Sequence, residues 1–448
     1  MSSDRGNESE RLAACLSREV VPASGCTEPG SVALAVARAR EALGEVSSVD
    51  SVHVRVSDCV FKNGRDVGIP GVRGARGNET AAALAAFGGR SIDGLQVLGS
   101  VGPAAVAEAL AWLKAGRVRI ERAAEQVGVY VEAHVVAQGC EAAAIIRGDH
   151  RNVSQVFVDG VSVDSSSCEA RDDLEDPFTS SLAEIYELCD EIAMRDEDRL
   201  LDGVKMNLAV LEAALAASCD EVLVLTHALV GLQKRGRVQR DDLGYRIRIA
   251  CVAASEYRMS GGTLPVMSSS GSGNAGIVTI LPVALAADSI GASRSKTASA
   301  LAVSHLTNSY VKSRIGRLAP ICGCVVAAGS GAAAALCKLH GADATVATEA
   351  IRMLLSSTAG MFCDGAKQSC ALKIGTAAHE AYVAALMAMS GARIIGAQGL
   401  ADVTVDGTID NVAWINDKGL HGLDRVIISL LERRQPDGAF EPVLKEPQ

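Results

Sequence analysis

Four cysteines late in the chain offer the plainest chemistry: Cys322 and Cys324 in "GRLAPICGC", Cys363 and Cys370 in "GMFCDGAKQSCALK". If one helix carried the last two, their spacing of seven residues at about 100° per residue would return both thiols to nearly the same face. Two thiols on one face can ligate one metal centre. Cys322 and Cys324 stand at an earlier glycine-rich break, close to where a helix would begin and where thiolate is favoured over thiol. Three thiolates from such breaks suit an iron–sulfur cluster with one iron left without a cysteine, or a zinc site with one open position. The pattern is neither a repeated Cys-x2-Cys pair nor a ferredoxin run, so spacing alone leaves simple core packing open.

Three further stretches carry polar groups of the right kind for a small ligand. "GSGNAG" (271–276) matches the dinucleotide fingerprint as a string, but no evident strand precedes it and no acid lies about twenty residues on in a βαβ unit, so nicotinamide binding is set aside. It reads better as a backbone cradle, in which Ser270 to Asn274 precede an apolar helix whose first N–H groups can bind a carboxylate; the alternative is an ordinary loop with Asn274 as cap. In "SGCTEPG", Ser24 or Thr27 can cap the next helix and put Cys26 at its positive end, where a depressed thiol pKa would make it a base or a ligand. In "FKNGRDVGIPG", Lys62 and Asn63 read as a turn able to meet an anion, although such a string is more often solvated. His305, Lys312 and Lys367 say nothing alone.

The elements that must position these residues follow from periodicity and punctuation. Residues 8–45 read as a helix, a Pro- and Gly-rich break, and a second helix. From 51 to 165, "SVHVRVS", "VGVYVEAHVVA", "CEAAAIIRG" and "VSQVFVDGVSVD" have strand character around a helix-like "GPAAVAEALAWLKAG". From 182 to 392 nearly everything is helical in period, interrupted at 260–276, 316–323 and 360–369. The fold class expected is α+β: a mainly helical catalytic domain (1–50 and 166–448) with a smaller α+β module (51–165) inserted. The acidic stretch 165–181 reads as a linker, 393–413 as short strands, and the Pro-containing end as a frayed tail.

Composition bounds the function. The chain has 448 residues, 48% hydrophobic but only 3% aromatic, with 44 glycines, which suits closely packed helices with small contact residues. A net charge of −10 without a long basic run argues against nucleic acid and anionic membranes as partners. The uncharged run 319–337 has the length of a membrane span but consists largely of Ala, Gly, Ser and Cys, and a buried helix is expected. The polar N-terminus lacks the apolar core of a signal peptide, so the expected compartment is the cytoplasm. There the 13 cysteines stay reduced, and Cys15, Cys189, Cys219, Cys251 and Cys337 read as core fillers.

Taken in order, "SGCTEPG", "FKNGRDVGIPG", "LPVMSSSGSGNAGI", "GRLAPICGC" and "GMFCDGAKQSCALK" resemble the L-cysteine desulfidase family, which belongs with the catalytic chain of iron–sulfur L-serine dehydratases. The resemblance runs from about residue 12 to 395. It implies an oxygen-sensitive lyase with a [4Fe–4S] cluster that converts L-cysteine to pyruvate, ammonia and hydrogen sulfide. By the resemblance Cys363 and Cys370 hold two irons and Cys322 a third, with Cys324 as the alternative. Cys26 becomes the base or a displaceable fourth ligand, and Ser272, Gly273 and Asn274 the carboxylate cradle, with Ser24, Thr27, Lys62 and Asn63 as further substrate contacts. The chemistry agrees: elimination must remove an α-proton and expel the β-substituent, which a Lewis-acidic iron can stabilise. This chain departs from the family pattern at Ser269, Ala275 and Ser369, where Asn, Gln and Gly are usual.

Expected partners are therefore a small amino-acid substrate and, in assembly, a second copy of the chain as a homodimer. An L-serine or other β-substituted amino-acid dehydratase is a neighbouring reading, since both expel a β-substituent through the same iron. A non-catalytic iron–sulfur or zinc sensor would use the same cysteines but has no need of substrate-like motifs around one pocket.

Overall fold

The computed structural model describes residues 2–45, 48–72, 74–164, 178, 181–217 and 222–433. Most of the acidic stretch expected as a linker, Cys219 and the expected C-terminal tail lie outside them.

The chain opens with α1 (Ser2–Glu19), β1 (Pro22–Ala23) and α2 (Thr27–Ala42). Leu12, Cys15 and Leu16 recur at helical spacing on α1 and are buried in the larger of two cores. Strand β1 pairs antiparallel with the short β8 (Val266–Met267), matching Pro22 to Met267 and Ala23 to Val266. The N-terminus is thereby fixed beside the "SSSGSGN" loop.

The smaller core follows: β2 (Ser51–Val56), α3 (Asp58–Gly64), α4 (Gly77–Gly88), α5 (Pro103–Lys114), β3 (Val118–Arg122), β4 (Tyr130–Ala137), β5 (Cys140–Arg147), β6 (Val153–Val158) and β7 (Val161–Asp164). The sheet order is β3-β2-β4-β5-β6-β7, parallel between β2 and β3 and antiparallel elsewhere. Alternation explains the one-sided burial: Val131, Ala133 and Val135 of β4 face inward with Ala142, Ala144 and Ile146 of β5. Helix α2 lies against this face, with Val32, Leu34, Ala35 and Val36 buried among the strands. It belongs to the small core, which therefore starts at Thr27 and not at 51 as expected, because nearly all of α2 is apolar or small and is covered by α4 and the sheet.

The rest is helical: α6 (Leu182–Ala216), α7 (Val224–Lys234), α8 (Leu243–Met259), α9 (Gly273–Ile290), α10 (Arg294–Ile315), α11 (Gly323–Leu339), α12 (Ala344–Thr358), α13 (Cys370–Met389), α14 (Val405–Gly419) and α15 (Leu423–Glu432). A Ser181–Glu184 capping box starts α6. Helices α9, α10 and α11 are buried along most of their length, and their Ala, Gly and Ser residues let the axes approach closely. The apolar run read as a buried helix is α11. Helix α9 is the one described helix long and apolar enough to cross a membrane, and 78% of it is buried in the protein.

No strand forms at 393–413. Thr404 there caps α14, accepting a 3.0 Å hydrogen bond from the Gly407 amide, so the brief alternation of "DVTVD" is the lead-in to a helix.

Candidate active site

Two of the glycine-rich breaks are stitched to each other. The Cys322 amide donates to the Met361 carbonyl at 2.8 Å, and the Cys363 amide to the Pro320 carbonyl at 2.6 Å, around an isolated bridge between Ile321 and Phe362. Cys322 is the N-cap of α11, where a helix start was expected. Cys370 is the first residue of α13, but Cys363 lies before it in extended loop backbone, so the two thiols do not share a helix face as the spacing suggested. Pairing across the breaks brings them together instead.

One pocket is lined by Cys26, Thr27, Glu28, Asn63, Arg258, Ser272, Asn274, Lys312, Cys322, Cys324, Cys363 and Cys370, among others. All five quoted sequence stretches thus supply side chains to a single cavity. Three sequence-based expectations fall outside it. Ser24 lines a neighbouring cavity with Pro70 and Gly71. Gly25, at φ +64°, presses on Pro70, where a Cβ would come within 2.5 Å of Pro70 Cγ, so this turn serves to join "SGCTEPG" to "GIPG". Lys62 is not in a turn but on the buried side of the short helix α3, where its ammonium is 2.6 Å from Asp424 Oδ1 and 3.0 Å from the Cys363 carbonyl oxygen. It braces the cysteine loop from behind. Gly273 is the first residue of α9, and a Cβ there would come within 2.4 Å of Arg258 Nε, so its role is to admit that side chain.

The cradle is more occupied than expected. The Ser270 amide donates to the Glu19 carbonyl at 3.1 Å and the Ser272 amide to the Ser269 carbonyl at 3.1 Å, while Ser272 Oγ caps α9 by accepting from the Ala275 amide at 3.2 Å. What faces the pocket is the Ser272 hydroxyl, 3.4 Å from Cys324 Sγ, and the Asn274 amide. Asn274 Oδ1 accepts from Ser255 Oγ at 3.2 Å and Arg258 Nη1 at 3.1 Å. Those two bonds fix the amide and leave its Nδ2 donors for a ligand.

Cys26 lies at the N-terminal end of α2, as expected, but it is itself the N-cap in place of Ser24 or Thr27, and its acidity is not raised there. Burial, and then the adjacent Glu28 carboxylate, push the thiol well above its ordinary pKa, and Cys26 Sγ donates to Glu28 Oε2 at 2.8 Å. Glu28 also accepts from Thr27 Oγ1 at 3.1 Å and Asn63 Nδ2 at 2.9 Å. Burial works against its charge, yet nearby His150 and the bonds from Cys26 and Asn63 hold it below the usual carboxylate range. The ionised group at this end of the pocket is the carboxylate.

At the other end, Cys322 and Cys324 interact directly. The Cys322 thiol donates to Cys324, and this bond, against the cost of burial and together with the Lys312 charge and the Ser272 hydroxyl, brings Cys324 down to about 6. Cys322, as the donor and deeply buried, is pushed well up, and it also feels Cys363 and Cys370. Burial raises Cys370 to about 11.

Glu28, Arg258 and Lys312 are pocket residues that sequence reading passed over. Glu28 stood in a quoted motif but was given no role; Arg258 and Lys312 sit on helices where a basic residue every few positions looks like a solvated face. Both are buried, and burial of such cations without an ion-paired carboxylate is visible only in three dimensions.

The residues fit an iron–sulfur cluster. Among the described residues no group of three Cys, His, Asp or Glu side chains is placed to hold a single metal ion; four thiols, of Cys322, Cys324, Cys363 and Cys370, line one pocket. Sulfur donors also suit iron.

A helical domain and an α+β core that together surround a thiol-lined, substrate-sized pocket have the build of a metal-dependent enzyme. The family model described as "Serine dehydratase alpha chain" matches residues 162–429. Relatives named "UPF0597 protein" extend the likeness: those of Kosmotoga olearia and of Nitratidesulfovibrio vulgaris (strain Miyazaki F) are each 39% identical, over 94% of this chain and 99% of the relative. That of Desulfatibacillum aliphaticivorans is 35% identical over 94% of this chain and 97% of the relative. The chain belongs to the serine dehydratase alpha chain family, and is thereby related to the iron–sulfur serine dehydratases.

Proposed function

We propose that this chain is a [4Fe–4S] lyase that removes the β-substituent of a small L-amino acid, with L-cysteine as substrate and pyruvate, ammonia and hydrogen sulfide as products. The observation that carries the reading is the convergence of five separated stretches, from Cys26 to Cys370, on one pocket. Cys363, Cys370 and Cys322 would hold the cluster. Cys322 is chosen over Cys324 because its thiol feels both Cys363 and Cys370, whereas Cys324, although it also acts on Cys370, lies against Ser272 and Lys312. When bound, the cluster supplies an open iron that acts as a Lewis acid on the leaving group.

The chain's own residues do the rest. Asn274 Nδ2 and the Ser272 hydroxyl orient the substrate. The α-proton is taken at Cys26 Sγ as the thiol's own proton passes to Glu28 Oε2, 2.8 Å away. Asn63 and Thr27, bonded to Glu28, keep its carboxylate aimed at the sulfur. The released aminoacrylate tautomerises and hydrolyses in water.

L-Serine is the second reading, favoured by the family match itself. The test is anaerobic reconstitution with iron and sulfide, followed by product release from L-cysteine and L-serine in parallel. Equal sulfide and pyruvate from L-cysteine would support the desulfidase; pyruvate from L-serine alone would make the chain a dehydratase. A cluster with turnover of neither would leave a sensor.

A further inference from the structure

We infer that Arg258 is the anchor for the substrate's α-carboxylate; this rests on the lyase reading above and names the group that selects its amino-acid substrate. Arg258 stands in the last turn of helix α8, 3% exposed, and lines the thiol pocket. Its Nη1 donates to Asn274 Oδ1 at 3.1 Å and lies 3.9 Å from Met259 Sδ, while Nε is buried with no partner.

The other cations on this pocket wall are accounted for. Arg317 is 2.5 Å and 3.0 Å from the two Glu19 oxygens and 3.4 Å from Asp149. Lys373 is 2.5 Å from Asp364. Lys312 donates to the Ser270 carbonyl at 2.8 Å and lies in the field of Cys324. Among the described residues, Arg258 has no carboxylate within ion-pairing distance. A buried guanidinium left in this state is costly, and its planar fork is matched in shape by a carboxylate.

Its setting is built to hold it there. Gly273 is the residue whose missing Cβ makes room for the Nε edge, and Asn274 holds Nη1. The charge of Arg258 is felt at both Cys26 and Cys324. A carboxylate on Arg258 therefore sets the α-carbon on the side of the pocket that carries both the proton acceptor and the thiols. Asn274, bonded to the guanidinium, would share the same carboxylate through Nδ2.

The test compares the wild type with Arg258→Met and Arg258→Lys, all iron-loaded and anaerobic. Binding is measured by calorimetry with L-alanine, which has no β-leaving group to expel, and with L-alaninamide, which lacks the carboxylate charge. Wild type should prefer the acid, and Arg258→Met should weaken L-alanine roughly a hundredfold, the order seen on truncating one partner of a buried charge pair, with little change for the amide. Arg258→Lys should fall between, and iron per chain should stay unchanged. The same comparison of kcat/KM for L-cysteine and L-cysteinamide should lose its preference in Arg258→Met. An unchanged acid-to-amide ratio in that variant, or loss of iron with intact discrimination, would overturn the assignment and make Arg258 a support for the thiols. Discrimination by Arg258 without turnover of L-cysteine or L-serine would uphold the anchor while refuting the lyase.

Discussion

Lys62 should behave as a brace and not as a substrate contact. Its ammonium is 2.6 Å from Asp424, with 1% of the Lys62 side chain and 10% of the Asp424 side chain exposed, and it also holds the Cys363 carbonyl at 3.0 Å. Lys62→Met keeps most of the stem's volume but leaves Asp424, among the described residues, with the Cys59 thiol, 3.2 Å from Oδ2, as its side-chain partner. Removing one partner of a buried pair costs about 3–5 kcal/mol. The residual exposure of Asp424 points to the lower end, about 3 kcal/mol. Unfolding entropy of about 2.1 cal/mol/K per residue, over 448 residues melting as one unit, converts this to roughly 3 °C in Tm. Calorimetry on the iron-loaded protein should read that loss, and the Lys62→Met/Asp424→Leu double variant should recover most of it. Iron per chain should fall in the single variant, since the Cys363 loop loses its backing. An unchanged Tm and iron content with a tenfold rise in KM for L-cysteine would return Lys62 to the substrate site.

Other consequences can be checked separately. Cys363→Ala and Cys370→Ala should each abolish cluster absorbance and turnover, and Cys322→Ala should lose more iron than Cys324→Ala; the reverse order by iron analysis would move the third ligand to Cys324. Cys26→Ala and Glu28→Gln should retain most of their iron yet lower kcat by about a hundredfold or more, the usual scale for a removed proton acceptor; near-normal sulfide release by either would break the proposed proton path. Glu19 is held below the usual carboxylate range because, against the cost of burial, Arg317 and Arg18 favour its charge. Its contribution to stability is thus complete above the unfolded value of about 4.3 and is lost as pH falls through the lower folded value. Thermal melts should show this decline below about pH 4.3 in the wild type, and Glu19→Gln should start less stable at neutral pH and decline less on acidification.

What was readable in the sequence was mostly local. The glycine-rich breaks fell where the helices end, and Cys322 at the start of α11 was legible because a Gly-rich turn before an apolar run has few other readings. Period-two alternation gave β2, β4 and β5 for the same reason. Cys363 was misjudged because its backbone answers to Pro320, forty-three residues away, and such a pairing leaves no periodic trace. Lys62 was misjudged because "KNG" is a turn string; Asp424, the residue that buries it, lies at the far end of the chain. Arg258 had no local signal at all, although Gly273 and Asn274, which make room for it and hold it, were both singled out.

The distribution of the pocket residues between the two cores has its own consequence. The thiols of Cys322, Cys324, Cys363 and Cys370 and the side chains of Arg258 and Asn274 come from the helical domain, within the span matched by the family model. Cys26, Glu28 and Asn63 precede that span and sit on or beside helices packed with the small sheet. A reaction that needs a proton taken at Cys26 and a leaving group drawn to the thiols therefore depends on the two cores holding one relative position. Two contacts do this close to the pocket: the β1–β8 pairing, and the Lys62 bonds to Asp424 and the Cys363 carbonyl. In the proposed reaction the small core is thus part of the catalytic apparatus by position, because it carries Cys26 and Glu28 to the edge of a set of pocket thiols that it does not itself contain.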